Sequence, residues 1–286
     1  MRRIPERLKG ILARYSDGSK HSAYQPLPDF VVEESGTQVE LNTRWRGDES
    51  RLKYFCQALD FNGCSLVDIG ANTGYLSLSI GHKYDCQVTA YDINPNNVAF
   101  INALADYFGL TNVRAEVLEV SLANIGRLKP ADICLNLNVL HHAGTDFDAQ
   151  VVGGPDDLEP YVSQYLETVR DRYELHVMQL GYNFGGDKRR PLFGGLYPRR
   201  MLAFWVRCAQ QSGLVLDRFA MPAHVEDRTL VEMNVEEAMR CWPDIPPAWN
   251  EEPSVEEAVA GLKRAGMTYG LSEFYLRPVV LLKRDG

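Results

Sequence analysis

The stretch "LVDIGANTGYLSLSIG", residues 66–81, decides the fold of this chain. A short apolar run ends near Asp68 and leads through a turn containing Gly70 and Gly74 into a helical pattern. A strand, a glycine turn and a helix in this order are typical of parallel α/β sheets that bind a nucleotide-like ligand. The stretch therefore predicts a strand–turn–helix unit with a ligand at the carboxyl end of the strand.

Apolar runs alternate with helical patterns from residue 64 onward, which is typical of a parallel sheet flanked by helices. We expect an α/β fold, a Rossmann-like doubly wound sheet of seven mostly parallel strands whose last strand is antiparallel. Pro278 lies inside the final run, and proline cannot donate to a sheet. The expected result is a bulge there or a ladder that starts after it. The runs are "CSLVDIG", "CQVTAYDI", "NVRAEVLEV", "ADICLNLNV", "ELHVMQL", "LVLDRFAM" and "EFYLRPVVLLKR".

Two regions fall outside this alternation. Residues 1–47 are predicted to be an N-terminal extension or helical cap, and residues 48–286 the main domain, with an insert at about 223–270. Within the insert, positions 224–257 hold ten acidic and two basic residues, so their charge of −8 equals the net charge of the whole chain. The remaining residues sum to zero, which disfavours broad contact with a nucleic-acid backbone.

Composition also bears on location and on metal binding. No run approaches the ~18 consecutive apolar residues of a membrane-spanning helix, and the first residues lack a secretory signal. Six scattered cysteines without a CxxC pair argue against a zinc module and indicate reduced thiols. We expect a cytoplasmic protein and predict no metal site. The basic amphipathic pattern at the N-terminus fits either a helix packed on the domain, the commoner case, or a peripheral membrane contact.

The glycine spacing restricts the cofactor. Nicotinamide and flavin domains use G-x-G-x-x-G, in which glycines let backbone N–H groups approach a pyrophosphate. Here three residues separate Gly70 from Gly74 and a third glycine is absent. Asp68, two residues before the first glycine, would repel phosphate and attract an ammonium group. The pattern favours a phosphate-free cofactor over that of a nicotinamide-dependent oxidoreductase.

The segment "VDIGANTG" resembles motif I of the class I S-adenosylmethionine (SAM)-dependent methyltransferases. The resemblance continues in order through "TAYDIN", "VRAEVLEV" and "DICLNLNVLHH", and covers residues 64–222 plus the terminal strand. It implies a methyltransferase that uses SAM and releases S-adenosylhomocysteine (SAH).

The resemblance also implies cofactor roles for individual residues. Asp92 would bind the ribose hydroxyls, Glu119 would face the adenine amino group, and Asn136 would lie near the methyl donor. Arg46, in a segment like the pre-motif helix of some members, would pair with the cofactor carboxylate. The remaining implied cofactor residues are Asp68, Gly70, Ala71, Asn72, Gly74, Ile93 and Val120. Structural alternatives stay open: a plain turn for the glycines, an N-cap for Asp92 and a solvated strand end for Glu119.

A hydroxyl acceptor would need a general base, and histidine suits that role near neutral pH. His141 and His142 follow the fourth strand, at the edge where open α/β sheets bind ligands. We choose His142 over His141; the alternative is that the pair only packs the following loop. The motif "NLNV" lacks the prolines of family members that methylate amino groups.

The segment after the fifth strand offers acceptor contacts. Tyr182 and Asn183 are candidates for polar contacts, and Arg189 and Arg190 for gripping an anionic group, unless they belong to a solvated loop. This segment resembles methyltransferases of polysaccharide clusters and, more distantly, enzymes of tRNA wobble-uridine modification. We predict O-methylation of a sugar or glycan, phosphorylated or lipid-linked. A natural-product hydroxyl, tRNA and a non-catalytic cofactor-binding scaffold are the alternatives.

Overall fold

A computed structural model describes residues 6–13, 25–36, 47–193, 198–222, 229–233 and 277–285. The helices in these ranges are α1 (Glu6–Ala13), α2 (Asp29–Ser35), α3 (Asp48–Ala58), α4 (Tyr75–Lys83), α5 (Pro95–Phe108), α6 (Leu158–Val169) and α7 (Pro198–Gln211). The strands are β1 (Ser65–Ile69), β2 (Gln87–Asp92), β3 (Val113–Val117), β4 (Ala131–Leu137), β5 (Tyr173–Gln179), β6 (Leu214–Pro222), β7 (Leu230–Met233) and β8 (Val279–Arg284).

The strands form an eight-stranded mixed sheet in the order β3-β2-β1-β4-β5-β8-β6-β7. β1, β2 and β3 pair in parallel, whereas β8 pairs antiparallel with both β5 and β6. The order 3-2-1-4-5 is that of a doubly wound sheet, with its switch point beside β1. This confirms the predicted Rossmann-like fold with an antiparallel last strand. The sheet has one strand more than the seven predicted, because β7 forms inside the region assigned to the insert.

The chain divides into two compact units. The first comprises residues 1–120 and 129–134, and the second residues 121–128 and 135–286. In the first unit, Leu8 and Ile11 of α1 are buried and Arg7 lies over the ring of Tyr107 in α5, 5.8 Å from its centroid. The apolar residues of this N-terminal helix therefore pack within the protein.

The second unit contains the antiparallel part of the sheet. β8 begins at Val279, directly after Pro278, so the ladder avoids the residue that has no N–H to donate. Residues 279–282 are fully buried, and Trp205 of α7 is buried as well. The register of β6 against β8 shifts between Leu216 and Arg218, which is a bulge in β6 rather than at the proline.

Three sequence predictions concern residues beyond the described ranges. Arg46 lies outside them, and so does most of the insert at 223–270. The residues directly before the boundary predicted at residue 47 lie outside them as well. Among the helices that the structure describes, none is both long and apolar enough to cross a membrane.

Candidate active site

The segment Gly70–Gly74, here called the glycine turn, joins β1 to α4 in the first unit. Its backbone enters the left-handed region at Gly70 (φ 71°), Asn72 (φ 53°) and Gly74 (φ 80°). A Cβ built on Gly74 would lie 2.6 Å from Cγ1 of Ile101 in α5. The second glycine is therefore required both by its backbone conformation and by the close approach of α5.

The backbone amides of the glycine turn all donate within the protein. Gly70 N and Ala71 N donate to the carbonyl of Tyr91, at 2.8 and 3.0 Å, and Asn72 N donates to Oδ2 of Asp92 at 2.8 Å. The two remaining amides follow: Thr73 N donates to the Asn72 side chain at 2.8 Å and Gly74 N to the Ala71 carbonyl at 2.9 Å. Because these donors are already used, the turn does not present the row of N–H groups that a pyrophosphate needs.

Asp92 ends β2 and is built into this turn. Besides accepting from Asn72, its carboxylate accepts from Asn94 N at 2.8 Å and from Asn97 Nδ2 at 3.1 Å. The N-cap of α5 is Asn94, whose side chain accepts from Asn96 N, so Asp92 does not have the capping role that was its structural alternative. Its carboxylate instead fixes the turn at the end of β2, at the ligand-binding edge of the sheet.

Asp68 lies near the end of β1 and is 4% exposed. Ser77 Oγ donates to its Oδ2 at 2.6 Å. Burial raises the pKa of Asp68 to about 6, the Ser77 hydrogen bond opposes the rise, and the negative charge of Asp92 adds to it. A carboxylate in this state is stabilised by a cationic ligand.

An ion pair on α3, which sequence reasoning missed, lies within electrostatic range of Asp68. Arg51 Nη2 donates to Oδ1 of Asp48 at 2.8 Å, and both side chains are largely buried. The positive charge of Arg51 lowers the pKa of Asp68 and the negative charge of Asp48 raises it. The sequence signal was their spacing of three residues, which puts both on one helical face.

Apolar side chains are exposed at the same edge of the first unit. Ile93, directly after β2, is 53% exposed, and Val117 at the end of β3 is 50% exposed. Val117 is the register partner of Asp92. Of the two predicted cofactor residues that follow β3, Val120 is buried and Glu119 is exposed. Exposed aliphatic side chains can pack against a flat ring, and a carboxylate beside them can accept hydrogen bonds from a polyol attached to that ring.

In the second unit, polar side chains gather where β4 and β5 end. Asn136 is 1% exposed; its Nδ2 donates to the Tyr165 hydroxyl at 3.0 Å, and no described group bonds its buried Oδ1. Two residues further on, Asn138 Nδ2 donates to Oε1 of Gln179 at 2.8 Å, and Arg277 Nη1 donates to Asn138 Oδ1 at 2.7 Å. Arg277 is buried, and sequence reasoning missed it because it precedes β8, far along the chain from Asn138.

The segment Leu140–Phe147, here called the histidine loop, follows β4. His141 is 3% exposed, and its Nδ1 accepts from Gly181 N at 3.2 Å. Burial lowers the pKa of His141 well below its usual value, and the charges of His142 and Arg277 act in the same direction. His141 is therefore a neutral, packed ring at neutral pH.

His142 has a different environment. Its side chain is 26% exposed, and its Nδ1 lies 3.0 Å from Oδ2 of Asp146, a residue that sequence reasoning did not select. The rings of His141 and His142 are 4.2 Å apart at an angle of 44°. Of the two histidines, only His142 combines partial exposure with a carboxylate neighbour.

The predicted acceptor residues differ in exposure. Tyr182 is fully buried and Asn183 is 8% exposed. Arg189 forms a two-point ion pair with Asp187, its Nε and Nη2 donating at 3.0 and 2.8 Å, and this pairing lowers the pKa of Asp187 to about 2. Arg190 stacks on the Phe184 ring, 4.2 Å from its centroid.

The described residues contain no group of three or more His, Cys, Asp or Glu side chains that could hold a metal ion. The candidate residues thus form two separate groups: two carboxylates and a glycine turn in the first unit, and asparagines, histidines and a basic segment in the second.

A scan against protein-family models gives no match, and neither does a search of curated proteins. Among solved structures, the bifunctional kinase-methyltransferase WbdD is similar over 63% of this chain and 37% of that one, at 14% identity and a TM-score of 0.41. The chain thus spans little more than a third of WbdD.

Two other solved structures are similar over 98% of this chain, both at 13% identity. One is the N-terminal domain of EvdMO1, crystallised in the presence of SAH and D-fucose, with 97% of that chain covered and a TM-score of 0.46. The other is a putative sarcosine dimethylglycine methyltransferase from Galdieria sulphuraria, with 99% covered and a TM-score of 0.49. Likenesses this distant carry no conclusion about what this chain does, which has to be inferred from its own residues.

Proposed function

We propose that this chain is a SAM-dependent methyltransferase that methylates a hydroxyl group of a sugar or glycan. The observation that carries the proposal is the glycine turn. Every backbone N–H from Gly70 to Gly74 donates within the protein, while Asp68 beside it is buried with a raised pKa. A dinucleotide would bring a pyrophosphate to a place with a carboxylate and no donors, whereas SAM brings an ammonium group and no phosphate.

The residues near Asp68 fit the amino-acid end of SAM. Asp68 would accept from the ammonium group, which would favour its ionised form. Arg51 of α3 is paired with Asp48, and we propose that this largely buried guanidinium also attracts the cofactor carboxylate, since it lies within electrostatic range of Asp68. Arg46, the residue first assigned to that carboxylate, lies outside the described residues.

The adenosine end fits the neighbouring strand ends. Asp92 is held rigidly by three hydrogen bonds at the end of β2, which suits a carboxylate that must receive the two ribose hydroxyls in fixed positions. Ile93 offers an exposed aliphatic surface for the adenine ring, with Val120 and Glu119 following β3. We keep the proposed roles of Asn136 at the methyl end and of Glu119 at the adenine amino group.

When bound, SAM supplies a methyl group on a sulfonium sulfur. The chain has to bind and orient the acceptor, exclude water and remove a proton. We assign proton removal to Nε2 of His142: the acceptor O–H gives its proton to this nitrogen as the oxygen bonds the methyl carbon. The bound cofactor would supply the methyl group and keep the electron pair of the broken C–S bond on sulfur, so the products would be SAH and a methyl ether, with the proton held on His142.

We propose that the segment after β5 recognises the acceptor. Arg189 is engaged by Asp187, and Tyr182 is fully buried, so Arg190 is our first choice for an anionic group on the acceptor. Asn183 is also largely buried, so we propose that its backbone, rather than its side chain, contacts the acceptor. A phosphorylated or lipid-linked glycan would provide such an anionic group.

The test is transfer of radiolabelled methyl from SAM into fractionated cell extract. We expect label in the polysaccharide or glycolipid fraction, none when the Asp68→Asn, Asp92→Asn double variant replaces the protein, and full labelling by the exposed-surface variant Asp171→Asn. Label confined to RNA or small molecules would contradict the glycan proposal but not methyl transfer. No label in any fraction, with SAH binding intact, would favour a non-catalytic scaffold.

A further inference from the structure

We infer that Arg277 is a positioning residue for methyl transfer, because it fixes the strand ends from which the histidine loop and the segment after β5 depart. The inference rests on the proposed function for its catalytic meaning, but the structural coupling can be measured without an acceptor. It starts from the hydrogen bond that Arg277 Nη1 donates to Asn138 Oδ1 at 2.7 Å. This bond links the chain before β8 to the chain after β4.

The side chain of Arg277 crosses the end of β5, which lies between β4 and β8 in the sheet. Neighbouring strands are about 4.8 Å apart, so roughly 10 Å separates β4 from β8. Arg277 precedes β8 by two residues, and a long side chain is needed to cover this distance from there. The guanidinium therefore lies where β4 and β5 end, which is the ligand-binding edge of open α/β sheets.

Asn138, Gln179 and Arg277 are joined by a closed ring of hydrogen bonds, here called the strand-end network. Besides the bond from Arg277 to Asn138, Asn138 Nδ2 donates to Gln179 Oε1 at 2.8 Å, and Gln179 Nε2 donates to the Arg277 carbonyl at 3.1 Å. A fourth bond runs from Asn138 N to the Gln179 carbonyl at 2.8 Å. Gln179 and Arg277 are only 6% and 4% exposed, so water does not readily replace a lost partner.

The backbone conformation of Asn138 depends on the strand-end network. Its φ of 61° lies in the left-handed region, which costs free energy for a residue other than glycine. The N, Nδ2 and Oδ1 atoms of Asn138 all take part in the network, which offsets this cost. The network therefore holds the chain in the conformation that directs it from β4 into the histidine loop, two residues further on.

The strand-end network also lies next to the His141 ring. Gly181, two residues after Gln179, donates from its N to Nδ1 of His141 at 3.2 Å, and a Cβ built on it would lie 2.7 Å from Nε2 of that ring. Burial is the main cause of the low pKa of His141, and the charges of His142 and Arg277 add to it, which puts the guanidinium within electrostatic range. The His142 ring is 4.2 Å from the His141 ring. A shift of the strand ends would therefore displace His141 and, with it, the proposed base.

The first test follows hydrogen exchange of the Gly181 amide by NMR in the protein without ligand. Arg277→Lys keeps the charge but loses the fixed hydrogen bond to Asn138, so exchange should become roughly tenfold faster or more. Asn138→Gly, which tolerates the same φ, should have the same effect. Arg172→Lys is the matched control, since Arg172 Nη1 donates to the Leu128 carbonyl at 2.9 Å before the other end of β5, and it should leave the rate unchanged. Wild-type exchange rates in both Arg277→Lys and Asn138→Gly would overturn the inference.

Turnover provides the second measurement, using the acceptor fraction that the methyl-transfer assay labels, at a temperature where circular dichroism shows every variant folded. We expect Arg277→Lys and Asn138→Gly each to lower kcat by about 10- to 100-fold, with KM for SAM and SAH affinity within about twofold. Because the two side chains act as one unit, the double variant should lose no more than the worse single variant. Unchanged kcat, or losses that multiply, would overturn the positioning role. Absence of methyl transfer by the wild type would count against the proposed function, while the hydrogen-exchange result would still test the coupling.

Discussion

The glycine turn of the first unit and the histidine loop of the second are built in different ways. The glycine turn is specified by residues close together in sequence: Asp68, Gly70 and Gly74 set its shape, and Asp92 arrives from the next strand. The histidine loop depends on distant residues, since Gly181 packs on His141 and Gly185 on Thr145. Local constraints make the proposed cofactor-binding residues predictable from sequence, whereas the proposed chemistry depends on tertiary contacts.

The largest expected effect is a loss of turnover without a loss of cofactor affinity. His142→Ala should lower kcat by roughly 100- to 10,000-fold, the range for loss of a general base, and leave SAH affinity unchanged. Single-turnover methyl transfer and calorimetric titration with SAH measure the two quantities. Unchanged turnover would remove His142 as the base, and lost SAH affinity would mean that the histidine loop supports the cofactor site as well.

The second prediction tests the construction of the glycine turn. Gly74→Ala places a methyl group 2.6 Å from Ile101 at a residue with φ of 80°. Left-handed strain and overpacking together should cost about 2–4 kcal/mol in the free energy of unfolding. Urea denaturation measures this cost. Gly109→Ala is the control, because it shares the left-handed φ (69°) but has nothing within 4 Å of the built Cβ, so it should cost less.

The third prediction concerns acid stability in the second unit. His176 of β5 is buried and its pKa is lowered to about 4, chiefly by burial. A lowered folded-state pKa gives stability that is present above the unfolded value near 6.5 and lost as pH falls through about 4. His176→Leu should reduce this loss by up to about 3 kcal/mol. Unfolding free energies at pH 7 and pH 4.5 measure it; the same slope in both proteins would contradict the prediction.

The smallest expected effect concerns the first unit, where the free energy of unfolding falls rather than rises as the pH increases. Because the pKa of Asp68 is raised to about 6, its contribution to stability is present below the unfolded value and lost as pH rises through 6. Asp68→Asn should stabilise the ligand-free protein by about 2 kcal/mol at pH 8 and weaken SAH binding about tenfold or more. Thermal unfolding with and without SAH measures both. A variant less stable at pH 8, or one that binds SAH normally, would contradict the assignment.

Sequence reasoning predicted the regular part of the fold because each of its signals is local. Seven apolar runs became β1–β6 and β8, and Pro278 placed the start of β8 correctly. β7 was missed because its four residues lie in an acidic, proline-containing region with no alternating pattern.

The site was predictable to a lesser degree, for the same physical reason. The carboxylates at the ends of β1 and β2 follow from strand periodicity and from the sheet edge where ligands bind. The proximity of Asp146 to His142 depends on the way one loop turns, and the engagement of Arg189 by Asp187 depends on side-chain conformation. No spacing rule predicts either contact. The sequence therefore showed only that charged residues are present in these segments.

Calorimetric titration of the wild-type protein with SAH and, separately, with NADH tests the central claim most directly. A glycine turn without spare N–H donors beside a buried carboxylate predicts saturable binding of SAH and none of NADH, with SAH raising the midpoint of thermal unfolding. Saturable binding of NADH together with no binding of SAH would contradict it.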